Sequence, residues 1–202
     1  VRPGPEAAMA RLKVGLLGGS FNPAHAGHRH ISLLALHRLG LHQVWWLVSP
    51  QNPLKPETGM APLPERLAAA EALADDPRIR VSDIESRLGT RYTVDTLAAL
   101  RRRFPEHAFV WLMGADNLLQ MPKWHRWTEI VEGVPFAVFD RPGHGHGALA
   151  GLAARRYARH RVRRPRELPL RRPPAWCFLF SPLHPASSTS IRAAGNSAKK
   201  DT

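Results

Sequence analysis

The sequence predicts an α/β fold in which a doubly wound parallel sheet is covered by helices on both faces. Apolar runs alternate along the chain with segments of helical pattern, and the runs are nearly continuous in aliphatic and aromatic residues, as in strands buried on both faces. The first run ends in the glycine-rich segment Gly18–His28, at the point where such sheets bind ligands.

The apolar runs predict the strands and the amphipathic segments predict the helices. Gly40 is placed to end the first helix, and Pro64 can begin the second at its first turn. The predicted strands are Lys13–Leu17, Gln43–Val48, Arg80–Asp83, Ala108–Met113, Val134–Phe139 and Trp176–Phe180. The predicted helices are His28–Leu39, Pro64–Ala74, Thr93–Phe104, Trp127–Glu132 and Ser188–Ala194.

The length of 202 residues fits one domain, which we expect over residues 13–195. Residues 1–12 read as a flexible lead-in and residues 196–202 as a frayed tail. The single cysteine, Cys177, lies in an apolar run and predicts a buried, reduced thiol. With no apolar run long enough to cross a membrane or to direct export, we expect a cytoplasmic protein without a membrane partner.

The formal net charge of +13 attracts phosphates of any kind, nucleic acid included. Nine arginines lie between Arg155 and Arg172, within an arginine- and proline-rich stretch at residues 155–174. Tyr157 is its one aromatic residue, whereas nucleic-acid platforms usually interleave basic and aromatic residues. We interpret the stretch as a solvated, variable insertion, and keep a basic nucleic-acid-binding protein as an alternative of a different class.

The segment Gly18–His28 has the order strand, glycine turn and helix start. Paired glycines allow positive φ and a close approach of backbone N–H groups to a ligand, and a helix N-terminus attracts an anion. His25 and His28 are three residues apart, so on the entering helical turn their rings are neighbours. The pattern predicts a phosphate clamp.

Two other interpretations of this segment find less support. It lacks the required glycine positions of a dinucleotide-binding motif and the Lys-Ser/Thr pair of a P-loop, which argues against a dehydrogenase or a P-loop kinase. His25, His28 and His30 can alternatively be read as zinc ligands of a hydrolase, but no aspartate or glutamate nearby completes such a cluster.

The segment resembles the G-G-[TS]-F-[DN]-P-x-H-x-G-H signature of the nucleotidyltransferase superfamily. That superfamily has a second motif, I-S-S-T-x-I-R, which Ser187–Arg192 resembles. The departures are Ala186 in place of isoleucine, and Asn22 in place of the commoner aspartate, which removes a charge near the phosphates. The resemblance implies a Rossmann-like nucleotidyltransferase fold.

The middle of the chain resembles one branch, the nicotinate mononucleotide adenylyltransferases. Tyr92–Leu97 is similar to that family's Y-T-x-x-T-L, and Gly114–Trp124 to its G-x-D-x-L-x-x-x-P-x-W. The resemblance runs from about Lys13 to Ala194 and leaves out the arginine-rich stretch. It implies an enzyme of NAD biosynthesis that joins ATP to nicotinate mononucleotide, giving nicotinate adenine dinucleotide and pyrophosphate.

The resemblance also implies roles for individual residues. We expect catalysis from His25, His28 and Arg192, with Mg²⁺ bound through the ATP phosphates. The expected ATP-binding residues are Gly18, Gly19, Ser20, Phe21, His25, His28, Asp116, Ser188, Thr189 and Arg192. The expected substrate-binding residues are Lys55, Tyr92, Thr93 and Trp124, with Trp124 stacked on the pyridine ring and Thr93 near its carboxylate.

Sister activities on nicotinamide mononucleotide or phosphopantetheine stay open as alternatives. The Tyr92-Thr93 and Trp124 motifs count against phosphopantetheine. The choice between nicotinate and nicotinamide depends on donor geometry around one carboxylate or amide, which motifs do not resolve.

Overall fold

The computed structural model describes residues 11–50, 59–140 and 145–180, with side chains from residue 147 in the last of these ranges. Its centre is one six-stranded sheet in which every neighbouring pair is parallel, in the order β3-β2-β1-β4-β5-β6. The strands are β1 (Leu12–Gly19), β2 (Gln43–Val48), β3 (Ile79–Ser82), β4 (His107–Gly114), β5 (Phe136–Phe139) and β6 (Trp176–Leu179). The predicted α/β class and doubly wound sheet are confirmed.

Helices connect the strands, as the crossover connections between parallel strands require. They are α1 (Ala26–Arg38), α2 (Leu63–Ala74), α3 (Ile84–Leu88), α4 (Thr93–Arg103), α5 (Ala115–Gln120), α6 (Trp127–Gly133), α7 (Gly145–Ala150) and α8 (Leu152–Arg156). Short 3₁₀ turns occupy Met121–Lys123, Ala158–His160 and Pro165–Leu170. None of the helices in these described ranges is long and apolar enough to cross a membrane.

Successive residues of the central strands contribute to two different hydrophobic clusters. Leu16 and Trp111 belong to the cluster that includes α4 and α6, whereas Leu17 and Leu112 belong to the cluster that includes α1 and α2. Because side chains alternate across a strand, these clusters lie on opposite faces of the sheet. Both faces are therefore covered, which explains why the strands read as continuous apolar runs.

The strand order reverses between β1 and β4, which lie side by side at the centre of the sheet. All carboxyl ends of a parallel sheet lie along one edge, and the crevice at such a reversal is the usual ligand site. β1 ends at Gly19 and β4 at Gly114, so the predicted motifs Gly18–His28 and Gly114–Trp124 both begin at this edge of the sheet.

The arginine-rich stretch is more ordered than its composition suggested. Tyr157 and Leu168 are buried, and Val162 donates its backbone N–H to the oxygen of Trp176 at 2.7 Å. The stretch therefore packs along β6, while its arginines are exposed. The buried side chains of Tyr157 and Leu168 explain why the stretch is not wholly solvated.

Cys177 lies at the centre of β6 and is buried. Burial raises the pKa of its thiol to about 12, which keeps the group protonated at neutral pH. The expected buried, reduced thiol is present.

Candidate active site

The two motif histidines cap the first helix. His25 is the N-cap residue of α1, and its Nδ1 accepts the N–H of Gly27 at 3.1 Å. The Nδ1 of His28 accepts the N–H of His25 at 3.1 Å, which completes a reciprocal cap. The ring centroids lie 3.8 Å apart. The two imidazoles therefore form one group at the helix N-terminus, the arrangement that their spacing predicted.

These backbone contacts also determine which ring nitrogen carries the proton. A nitrogen that accepts an N–H hydrogen bond is unprotonated, so in each neutral ring the proton lies on Nε2. Both histidines then carry Nε2–H donors, at a helix end that already has partial positive charge. This combination suits an anion with several oxygens, such as a phosphate chain.

Aromatic residues and a hydroxyl hold His28 in place. The ring of Phe21 lies 4.5 Å from that of His28 and stacks on Trp46 at 5.2 Å. The indole N–H of Trp46 donates to the hydroxyl of Ser32 at 2.7 Å, and this hydroxyl donates to the backbone oxygen of His28 at 2.8 Å. The Phe21 side chain is buried, and its ring packs against that of His28.

The structure corrects the interpretation of the paired glycines. Neither Gly18 nor Gly19 has a positive φ, and the left-handed conformation occurs instead at Phe21, with φ of +46°. A Cβ added to Gly18 would lie 2.3 Å from Cη2 of Trp111. Gly18 is thus required by the packing of Trp111, whereas a Cβ on Gly19 would make only an ordinary contact at 3.6 Å.

Arg66 ties the ends of the first two strands together from within α2. Its guanidinium donates to the backbone oxygens of Ser20 at 2.6 Å, Ser49 at 2.7 Å and Pro50 at 3.1 Å, and its Nε donates to Ala61 at 2.8 Å. The residue is buried, and burial lowers the pKa of its guanidinium. Arg66 therefore connects the loop before the histidines to the loop after β2.

Asn22 makes a second connection to the segment before α2. Its amide nitrogen donates to the oxygen of Gly59 at 3.1 Å, and its amide oxygen accepts the N–H of Ala61 at 3.2 Å. A carboxylate can accept but cannot donate, so an aspartate would lose the bond to Gly59. This hydrogen bond to Gly59 explains why asparagine, and not the commoner aspartate, suits position 22.

A second group of predicted residues assembles around the start of α4. Tyr92 is its N-cap residue and Thr93 its first residue, and the Tyr92 ring lies 4.3 Å from that of His125. Trp124 stands next to His125 in the chain and meets Trp111 edge to face at 6.5 Å. The structure thus brings the Tyr92-Thr93 and Trp124 motifs to neighbouring segments, and adds His125, which sequence reasoning missed.

Asp116 follows the end of β4 and lies in the first turn of α5. β4 is the direct neighbour of β1, so this carboxylate and the capping histidines follow adjacent strand ends. In the described ranges, no group of three or more histidine, cysteine, aspartate or glutamate side chains forms a metal-binding cluster.

Glu85 is a buried carboxyl that sequence reasoning also missed. It receives hydrogen bonds from the side chains of Ser49, after β2, and Thr96, on α4, the latter at 3.3 Å. Thr96 in turn shares a hydrogen bond of 2.8 Å with Thr90. Burial raises the pKa of the Glu85 carboxyl above its ordinary value of 4.5, and the two hydrogen bonds oppose that rise in part.

This raised pKa predicts a pH dependence of stability. Above pH 4.5 the folded state keeps a proton on Glu85 that the unfolded state releases. The free energy of unfolding therefore falls as the pH rises from there through the folded-state pKa. The Glu85→Gln side chain does not titrate. We therefore expect this variant to lack that fall in the free energy of unfolding when it is unfolded with urea at pH values from 4.5 upwards. Glu65→Gln, at an exposed position on α2, should keep it, and a wild-type dependence matching that of Glu85→Gln would contradict the assignment.

Four predicted site residues lie outside the described residues: Lys55, Ser188, Thr189 and Arg192. The remaining predicted residues lie around the carboxyl ends of β1 and β4 and the start of α4.

Comparison with known proteins gives consistent results. The sequence matches the family described as cytidylyltransferase-like over residues 16–194. A protein of Parvibaculum lavamentivorans is 59% identical over 91% of this chain and 92% of its own length, and one of Cereibacter sphaeroides is 60% identical over 91% and 98%. Both carry the name "probable nicotinate-nucleotide adenylyltransferase".

A solved structure shares the fold. The nicotinic acid mononucleotide adenylyltransferase of Plasmodium falciparum, in complex with NaAD, superposes with a TM-score of 0.69 over 90% of this chain and 82% of its own. Its sequence identity is 16%, so this likeness supports the fold alone.

Proposed function

Because the chain belongs to the cytidylyltransferase-like family and, within it, to the nicotinate-nucleotide adenylyltransferases, we propose that it transfers the adenylyl group of ATP to nicotinate mononucleotide. The products are nicotinate adenine dinucleotide and pyrophosphate, in the biosynthesis of NAD. The observation that carries this proposal is the pair of histidines, His25 and His28, that cap α1 after the carboxyl end of β1.

The reaction is an in-line substitution at the α-phosphorus of ATP. An oxygen of the mononucleotide 5′-phosphate forms a bond to this phosphorus, and the bond from it to the β-phosphate bridging oxygen breaks. The attacking phosphate is already ionised at neutral pH, so no general base is needed. Catalysis then rests on positioning and on stabilising the charge of the phosphates.

In this mechanism the Nε2–H groups of His25 and His28 donate to phosphate oxygens of ATP. The N-terminus of α1, which has 13 residues, adds its partial positive charge. Arg66 and Asn22 act indirectly: Arg66 ties the loop before the histidines to the loop after β2, and Asn22 ties it to the segment before α2. From the sequence we add Arg192 and Lys55, whose positive charges would offset that of the departing pyrophosphate. The hydroxyls of Ser188 and Thr189 would donate hydrogen bonds to it.

The residues present fit a Mg²⁺ ion that is carried by the nucleotide. Mg²⁺ is usually held by one or two carboxylates together with substrate phosphates and waters, and Asp116 is a carboxylate that follows β4, the strand adjacent to β1. When bound, the ion neutralises phosphate charge.

The nicotinate mononucleotide is proposed to bind at the start of α4. Its pyridinium ring is flat and cationic, which suits the face of Trp124. Its carboxylate suits the N-terminus of α4, where Thr93 and the backbone N–H groups of the first turn are donors. The contact between the rings of Tyr92 and His125 brings the start of α4 close to the segment that contains Trp124. With ATP as co-substrate and a reduced Cys177, we place the enzyme in the cytoplasm.

Replacing Trp124 with leucine tests this substrate site. Loss of a cation–π contact worth about 1–2 kcal/mol should raise the KM for nicotinate mononucleotide about tenfold and leave the KM for ATP unchanged. Trp127→Leu is the matched control, because Trp127 packs on Tyr157 rather than near Tyr92. Steady-state kinetics on both substrates give the answer; equal effects of the two substitutions would remove Trp124 from the site.

A further inference from the structure

A cavity lined mainly by arginines lies far from the proposed active site. Its volume is about 450 Å³, within the range of roughly 300–1,000 Å³ usual for small-molecule sites. We call it the arginine cavity. Its six lining arginines are Arg159, Arg161, Arg163, Arg164, Arg171 and Arg172.

The arginine cavity is built on the edge strand of the sheet. Arg161 pairs with Trp176, the first residue of β6, and Ala175 directly precedes that strand. The cavity is therefore at the amino end of β6, whereas the histidines follow the carboxyl end of β1. Because the sheet is parallel, these positions are at opposite ends of the strands. The two sites are separate.

Contacts within the lining orient three of its guanidinium groups. Arg161 lies over the ring of Trp176 at 5.5 Å and over that of Phe178 at 6.0 Å. Glu167 forms ion pairs with Arg164 at 3.6 Å and with Arg171 at 2.5 Å. These contacts limit the conformations of long side chains that would otherwise spread into solvent.

The charge of the lining is strongly unbalanced. Six arginines face one carboxylate, that of Glu167. No carboxylate within the described ranges lies at ion-pair distance from Arg159, Arg163 or Arg172, and all three are exposed. Like charges held together repel one another, so a bound polyanion would relieve this repulsion.

We propose that the arginine cavity binds an oligophosphate anion, a chain of two or more phosphoryl groups. Guanidinium forks match phosphate oxygens in pairs, and several forks around a small volume suit linked phosphates better than a single carboxylate. The lining, all of it in the described part of the chain, contains no phenylalanine, tyrosine or tryptophan. It offers no aromatic face for bases, which favours a phosphate chain over a nucleic acid.

The test measures binding of inorganic tripolyphosphate to the full chain by calorimetry. The cavity variant carries Arg159→Gln, Arg163→Gln and Arg172→Gln. The control variant carries Arg101→Gln, Arg102→Gln and Arg103→Gln, which remove the same charge from exposed positions at the end of α4. All six positions are exposed, and thermal unfolding checks that both variants are folded. The KM for ATP, measured on the same samples, reports separately on the active site.

We expect wild type and the control variant to bind tripolyphosphate at a site where the cavity variant binds at least tenfold more weakly, with the KM for ATP the same in all three. Equal weakening in both variants would mean a general charge effect and would overturn the proposal. No weakening in either would do the same. A single-stranded or duplex oligonucleotide that binds wild type more tightly than tripolyphosphate, and loses this advantage in the cavity variant, would assign the surface to nucleic acid instead.

Discussion

Replacement of His28 by alanine should lower kcat at least about 100-fold, the usual cost of losing a donor aimed at developing charge. The reason is the Nε2–H of this imidazole, whose Nδ1 is already committed to the backbone of His25. Steady-state kinetics with saturating ATP and nicotinate mononucleotide measure the effect. The fold should persist, because the ring is part-exposed and the lost cap costs only about 1 kcal/mol.

Two further variants separate the catalytic contact from the cap. His28→Asn keeps an acceptor near the position of Nδ1 but has no donor at Nε2, so it should be as slow as His28→Ala while keeping more stability. His28→Gln places an amide N–H near Nε2 and should recover part of the rate. His37→Ala changes an exposed histidine in the last turn of the same helix and should turn over normally. Near-normal kcat in His28→Asn would remove the imidazole from the mechanism.

Replacing Arg66 with methionine should reduce the free energy of unfolding by about 3 kcal/mol or more, since four backbone oxygens lose a charged donor. Urea unfolding measures this loss. The kcat should also fall at temperatures where the variant is fully folded, because the loops after β1 and β2 lose their common anchor.

Two controls show whether the geometry of the guanidinium matters. Arg66→Lys keeps the charge but cannot reach four acceptors with one planar group, so it should lie between wild type and Arg66→Met. Arg80→Met makes the same chemical change at an exposed position on β3 and should alter stability by less than about 0.5 kcal/mol. If Arg66→Met unfolded like Arg80→Met, the proposed anchor would be wrong.

The features that could be predicted from the sequence are those that depend on local patterns of residues. Strands such as β4, β5 and β6 were visible as apolar runs because they are buried on both faces of the parallel sheet. The pairing of His25 with His28 followed from their spacing, since a helical turn brings such positions together. Gly40, with φ of +64°, ends α1 where a left-handed residue was expected.

The features that the sequence concealed depend on contacts between distant segments. Arg66 lies in a helical pattern where an arginine is usually solvated. Its acceptors are backbone oxygens, and since every residue type has one, no sequence pattern indicates these hydrogen bonds. Glu85 is buried, and the side chains that hydrogen-bond to it come from Ser49, after β2, and Thr96, on α4, which are distant from it in the sequence. Gly18 was expected to be needed for its conformational freedom. The structure shows instead that the ring of Trp111, 93 residues further along the chain, leaves no space for a side chain at this position.

Adenylyl transfer to nicotinate mononucleotide releases one pyrophosphate per turnover, so pyrophosphate release measures this activity. The purified chain is supplied with ATP and Mg²⁺ and with nicotinate mononucleotide, nicotinamide mononucleotide or phosphopantetheine in parallel. We expect release at least tenfold faster with nicotinate mononucleotide than with either of the others. Release with none of the three, or fastest release with phosphopantetheine, would contradict it.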